Sequence, residues 1–317
     1  MNYKERILEA WQFTQSNKKL IIWYGFLPAF ITTVFGIGYV GYQIMAFKAS
    51  PLFDNAPKSF GYTLATTIID FFKTNFSFTV PVIITAIILL LIYLFIPVIL
   101  ESATIQLIAR RKNGQKVTLG EGLQFGLLRF LQLFEYSLLM RTFSYVSITA
   151  EGAFILRNLG MDAFQTFLPV LIIAAIVALI LHTLFTFTEY YIVIDEEGVM
   201  TSIFKSCTLV ITNLQRTIML VILMLIIGIR IVIQLVLVIL IPAIVISGFA
   251  FFASTSLPYY AFYILGGLTF VFIVFASYLA AVVNIFAATV WTYTFLDFTS
   301  NVAPSAREKA DINIVKA

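Results

Sequence analysis

Read as hydrophobic and polar positions, the chain alternates long apolar runs with short polar returns. Mostly apolar runs cover residues 20–47, 79–109, 167–194 and 217–241, and a last one begins near residue 259 and exits at Asp297. A bilayer core about 30 Å thick takes about 20 apolar residues of helix, so each run predicts a transmembrane helix. Strand-like alternation is absent, which argues against a β-barrel.

Amphipathic stretches lie between these runs. Residues 2–17 place Tyr3, Ile7 and Trp11 on one side of a helix, and Asn2 with Glu5 resembles a capping pair. Thr118-Leu119-Gly120-Glu121 reads as a capping box, and residues 199–214 align Ile203, Cys207, Val210 and Leu214 along one face. Such helices are expected at the inner membrane surface. A polar–apolar helix over 61–76, after a loop with Pro51 and Pro57, is expected on the outer surface. Gly36, Gly38 and Gly41 offer a close-packing face in the first span, and Gly266-Gly267 a bend in the last.

Residues 118–147 are the ambiguous segment. Arg129, Gln132, Glu135 and Arg141 are a heavy polar load for lipid, so the segment reads as a span shielded by its neighbours or as an interfacial helix. As a span it completes six, with a loop at 151–165 before the fourth. Thirteen of the 20 Lys and Arg, including Arg110, Arg111, Lys112 and Lys116, then fall inside with both termini. The predicted fold is therefore an all-α membrane protein of about six transmembrane helices with amphipathic interfacial helices. Residues 1–299 form one polytopic domain, and 300–317 a disordered cytoplasmic tail. A unit of inner helix, span out, loop and span back would recur as 1–109, 110–194 and 195–299; chance likeness among Phe- and Leu-rich helices accounts for the pattern equally well.

Composition sharpens the class. The chain is 61% hydrophobic and 11% charged, against about 45–50% and about 25% in soluble domains. The net charge of +4 reports the inside bias of a membrane protein rather than a nucleic-acid partner. One cysteine, Cys207, excludes an internal disulfide, and one histidine excludes a His-rich metal site. The N-terminus is read as lacking a signal peptide, because Lys18 and Lys19 precede a run too long for one.

The candidate chemistry lies in polar residues at membrane depth. Arg230 sits near mid-bilayer with Gln234 one turn on, and a charge there costs about 3 kcal/mol on insertion scales. At 1.5 Å per residue, His182, Arg230 and Asn284 each lie about 20 Å from an inner turn or exit, forming a polar layer. Glu101 and Glu189 lie nearer the inner face, and Glu135 is in reach of Arg141 or Arg230. One reading is a ligand or ion path; the other is a set of structural clamps holding the bundle together. Soluble-type catalytic motifs and phosphate loops are absent from the sequence, so no cofactor and no metal are expected.

Two stretches carry a family resemblance. Residues 110–130, and Tyr190-Tyr191-Ile192-Val193-Ile194-Asp195-Glu196-Glu197-Gly198 with the following helix holding Ser206 and Asn213, resemble the polytopic membrane domain attached to some bacterial glycerophosphodiester phosphodiesterases, and related stand-alone integral membrane proteins. The likeness covers about the middle half of the chain. The phosphodiesterase domain itself has no counterpart here. The resemblance implies a prokaryotic cytoplasmic (inner) membrane protein of about six helices. The expected function is a non-enzymatic membrane protein that binds or organises lipid or other membrane proteins. The alternative is a small-solute or lipid transporter or channel using the layer around Arg230; an intramembrane lipid-headgroup enzyme ranks third.

Overall fold

The computed structural model describes residues 3–48, 50, 60–229 and 259–300. Arg230, Gln234, Asn2, the Pro51 and Pro57 loop and the tail from residue 301 lie outside the described residues. The chain is an all-α membrane protein. Among the described residues, four helical stretches are long and apolar enough to cross a membrane: Lys18–Phe47, Phe76–Lys112, Phe130–Leu184 and Gly266–Ser300. The pair Val199–Thr212 and Leu214–Ile229, bent by 96°, makes a fifth when counted as one broken span.

In chain order the helices are α1 (Tyr3–Ser16), α2 (Lys18–Leu20), a π-helical turn (Ile21–Phe26), α3 (Leu27–Lys48), α4 (Phe60–Thr74) and α5 (Phe76–Lys112). They continue as α6 (Leu119–Leu128), α7 (Phe130–Thr142), α8 (Tyr145–Leu184), α9 (Thr188–Val193) and α10 (Val199–Thr212). Last come α11 (Leu214–Ile229) and α12 (Tyr259–Ser300), which runs unbroken through Gly266-Gly267.

The expected loop at 151–165 is instead one sharp bend. Gly160 adopts φ 84° and ψ 179°, open to glycine and strained for other residues. A Cβ on Gly152 would lie 3.3 Å from Leu171 Cδ1, although in one straight helix they would stand about 28 Å apart. The helix therefore folds into two antiparallel limbs. At its tip, Arg157 Nη1 donates to Gln43 Oε1 at 3.1 Å, tying the bend to the far end of α3.

Packing is uneven along the shafts. On α5, burial runs from Val98 to Ala109, whereas Val80 to Leu91 expose their apolar side chains. Likewise α8 exposes Val170, Ile173 and Ile176, while α9 buries Tyr190 to Val193. Spread apolar shafts thus rise from a packed cap. In lipid this is stable, since acyl chains are as apolar as leucine and shafts gain little by closing.

Specific features build the cap. Phe187 is fully buried at the centre of an aromatic cluster with Tyr190, Trp291, Phe295 and Phe298. Ser206 bridges the break between α8 and α9, accepting from Phe187 N at 3.1 Å and donating to Leu184 O at 2.8 Å. The capping box forms as predicted, Thr118 and Glu121 each bonding the other's backbone N–H. Gly122 and Gly126 lay α6 against α5, where a Cβ on Gly126 would sit 2.8 Å from Ala103 N and Ile99 O. Gly36, Gly38 and Gly41, expected to pack closely, have nothing within 4 Å among the described residues.

Helix α1 closes the same end. Arg6 pairs with Asp297 and donates to Tyr293 O at 3.2 Å; Glu9 pairs with Lys112, and Asn17 accepts from Arg111. Trp11 meets Phe286 edge-on with centroids 5.6 Å apart. The basic run after α5 is thus largely occupied by contacts within the chain. Burial lowers the Arg6 guanidinium from its ordinary value, an effect Glu9 opposes.

Candidate functional site

Where shafts meet cap, four segments line a half-open cavity of about 400 Å³, within the range of small-ligand sites. Its walls come from the π-turn and the start of α3, the middle of α5, α9, and α12. The polar groups facing it are Tyr24, Thr32, Glu101, Thr104, Glu189 and Asn284.

Local chemistry explains each wall. Pro28 has no N–H to give the preceding turn, and the adjoining Ile21–Phe26 turn is π-helical, a distortion frequent at functional sites. Gly25 inside that turn packs on α12, its Cβ position 3.0 Å from Ala281 O. Tyr24 thereby reaches the cavity rim, its hydroxyl donating to Leu119 O. Pro97 interrupts the α5 hydrogen-bond ladder one turn before Glu101, and both line the cavity.

Register brings two acids together. Gln106 on α5 donates to Val193 O on α9. The two helices run in the same direction here, so five residues back from Gln106 and four back from Val193 stand Glu101 and Glu189. Their carboxyl groups face each other within side-chain hydrogen-bonding range. Glu101 is exposed and lines the cavity. Two carboxylates this close repel when both are charged, and a proton or a cation between them relieves that repulsion.

The described residues supply no direct counter-ion. No Lys or Arg among them forms an ion pair with Glu101 or Glu189. Arg141 attracts Glu101 from a distance and lies over the Tyr93 ring at 5.8 Å. The Asn284 amide has no hydrogen-bond partner among the described residues. Tyr190 and Trp291 add ring surface. Outside the cavity, burial, then Asp195 and Glu197, push the Tyr191 hydroxyl up to about 12.

Of the residues singled out from sequence, the structure gathers Glu101, Glu189 and Asn284. His182 does not line the cavity; it is exposed, with its ring stacked on Tyr145 at 5.9 Å. Glu135 is exposed on α7 and does not line the cavity. Arg230 and Gln234 lie outside the described residues. The acidic turn has structural partners, Glu196 with Arg129 and Glu197 with Lys205. Tyr24 and Trp291 were missed; Pro28, the ninth residue of the apolar run 20–47, is the signal that could have drawn attention to Tyr24. Among the described residues, no group of three or more His, Cys, Asp or Glu is placed to hold a metal ion.

Fold and cavity together define an all-α membrane protein with an acid-paired pocket at the foot of its spans. Compared with family models, curated proteins and solved structures, the chain matches none.

Proposed function

We propose that the chain is a non-enzymatic integral membrane protein that binds a small organic cation, an ammonium group, in this cavity. The observation that carries the reading is the facing of Glu101 and Glu189 without a direct cationic partner among the described residues. Carboxylates supply the charge an ammonium needs, and Tyr24, Tyr190 and Trp291 supply ring faces that attract cations. Asn284 adds an amide for orientation that has no hydrogen-bond partner among the described residues. The ammonium could arrive on a free solute, as for a carrier, or on a lipid headgroup. A prokaryotic cytoplasmic membrane with both termini inside accompanies the reading, supported by the basic residues gathered at the end where α1, α5 and α12 meet.

The test uses the full chain in phosphatidylglycerol nanodiscs, which contain no ammonium lipid. Tetramethylammonium, choline and ethanolamine are titrated against thermal unfolding, with potassium as the control. In a separate arm, phosphatidylethanolamine replaces part of the lipid. The expected result is stabilisation by an ammonium solute or by phosphatidylethanolamine, weakened at least tenfold in Glu101→Gln and Glu189→Gln. Stabilisation by solute alone identifies a carrier-type site, and by lipid alone a headgroup site. No response in the wild type, an equal response in both variants, or potassium acting as well as ammonium overturns the proposal.

A further inference from the structure

The cap carries helices that turn large apolar side chains outward. Helix α10 buries Ser202 and Ser206 together with Leu209 and Val210, while Met200, Phe204 and Ile211 stand 69%, 71% and 62% exposed. These three follow a helical stripe through Thr208, on the side away from the buried serines. Helix α6 does the same, burying Gly122 and Gly126 against α5 while Leu127 and Leu128 are 52% and 72% exposed. A helix that keeps large apolar side chains on its outer side as well as on its packed side suits lipid rather than water.

Charge surrounds these faces. Lys4, Lys18, Lys19, Lys116 and Arg216 are all exposed at this end, and none forms an ion pair within the described residues. They sit on or beside α1, the α5–α6 turn and the start of α11, and basic groups at such positions reach anionic headgroups.

We propose that α6 and α10 are immersed in the leaflet at the basic end, their outer faces against acyl chains, with Lys18, Lys19, Lys116 and Arg216 on anionic phosphates. The occupant of these faces is lipid. The cap is then a one-sided wedge that widens the protein in a single leaflet, and not a soluble lobe below it. This inference is independent of the ammonium site.

The experiment places a nitroxide at single cysteines in a Cys207→Ser background, using the full chain in mixed phosphatidylglycerol and phosphatidylcholine liposomes. Phe204→Cys and Leu128→Cys report the two faces independently, and Asn113→Cys in the exposed turn is the aqueous control. The expected result is greater collision with oxygen than with a water-soluble nickel chelate at 204 and 128, reversed at 113. A nickel-accessible 204 and 128 puts the cap in water and overturns the immersion. Low access to both reagents means that protein, a second copy or a partner, covers the faces, and it overturns the proposal equally. For the headgroup part, native mass spectrometry counts phosphatidylglycerol retained from mixed nanodiscs. Replacing the four basic residues with glutamine should at least halve that count; an unchanged count refutes the anionic contact.

Discussion

Substituting alanine at two glycines on one helix should shift stability in opposite directions. A Cβ on Gly126 would lie 2.8 Å from Ala103 Cβ, Ala103 N and Ile99 O. Two of these atoms are backbone, so no rotamer change relieves the clash and α6 must move away from α5. Overpacking of this kind costs about 1–3 kcal/mol, offset by the gain of about 0.5–1 kcal/mol from replacing a helical glycine. Gly126→Ala should therefore lose on the order of 1–2 kcal/mol, given the rigidity of the contact. At Gly120, in the first turn of α6, nothing lies within 4 Å of the Cβ position. There Gly120→Ala should be neutral or gain about 0.5 kcal/mol. Both proteins are melted in detergent at one scan rate, and midpoints are compared by rank, because unfolding of such proteins is rarely reversible. Ile99 and Ala103 bracket Glu101, so Gly126→Ala should also weaken ammonium binding while Gly120→Ala leaves it intact. A Gly126→Ala protein melting at or above the wild type refutes the close packing of α6 on α5.

Three further outcomes follow from single contacts. Ser206→Ala leaves the buried Phe187 N–H and Leu184 carbonyl unpaired, a loss of about 1–3 kcal/mol, read as a lower melting midpoint. Asp297→Asn breaks the pair with Arg6, whose side chains are 19% and 28% exposed. The loss is about 1 kcal/mol or less; faster proteolysis of α1 should appear at low salt, and the gap from wild type should shrink in about 0.5 M salt. Tyr191, pushed up to about 12, ionises near 10 when unfolded. Its contribution is complete below pH 10 and lost between pH 10 and 12, so Tyr191→Phe should blunt the alkaline fall in melting midpoint across that window.

What could be read from the sequence separates along physical lines. Long apolar runs and the Thr118–Glu121 capping box depend on composition and on local hydrogen bonds, and both are legible in order along the chain. Which face of an amphipathic helix turns inward is not. The stripe through Ile203, Cys207, Val210 and Leu214 suggested one face of α10, whereas the structure buries Ser202, Ser206, Leu209 and Val210 and exposes Leu214. Periodicity finds a stripe, but only in water does polarity dictate which side is out. Glycine spacing was ambiguous in the same way: among the described residues Gly36, Gly38 and Gly41 pack on nothing within 4 Å, while Gly25, Gly122 and Gly126 make close contacts. At the site, Glu101, Glu189 and Asn284 were legible as polar residues in apolar runs. Their meeting was not, since it rests on the register of α5 against α9, set by a contact between residues 87 positions apart. Counting along one helix does not show that His182 lies off the cavity, because α8 ends before α9 begins and the ring turns to Tyr145.

The position of the cap decides how strongly the acid pair calls for a ligand. The apolar stretch of α5 before Glu101 carries no charge from Phe76 to Leu100, about 37 Å of helix and more than a hydrocarbon core requires. If the cap lay in water, Glu101 and Glu189 would sit at the membrane edge, where hydration makes a carboxylate pair cheap. With α6 and α10 immersed, the headgroup level drops toward Lys116 and the Arg6–Asp297 pair, and the acids lie within the slab. There an unneutralised charge costs several kcal/mol, so a proton or ammonium between the carboxylates becomes a condition of folding as well as of binding. The nitroxide measurement therefore bears on the nanodisc titration. A lipid-facing Phe204 and Leu128 should accompany a melting midpoint that rises with ammonium concentration in the wild type and is less sensitive in Glu101→Gln, whose neutral amide no longer needs the cation. An immersed cap with a midpoint indifferent to ammonium in both proteins would mean that a proton alone occupies the pair, and would sink the ammonium reading while leaving the wedge in place.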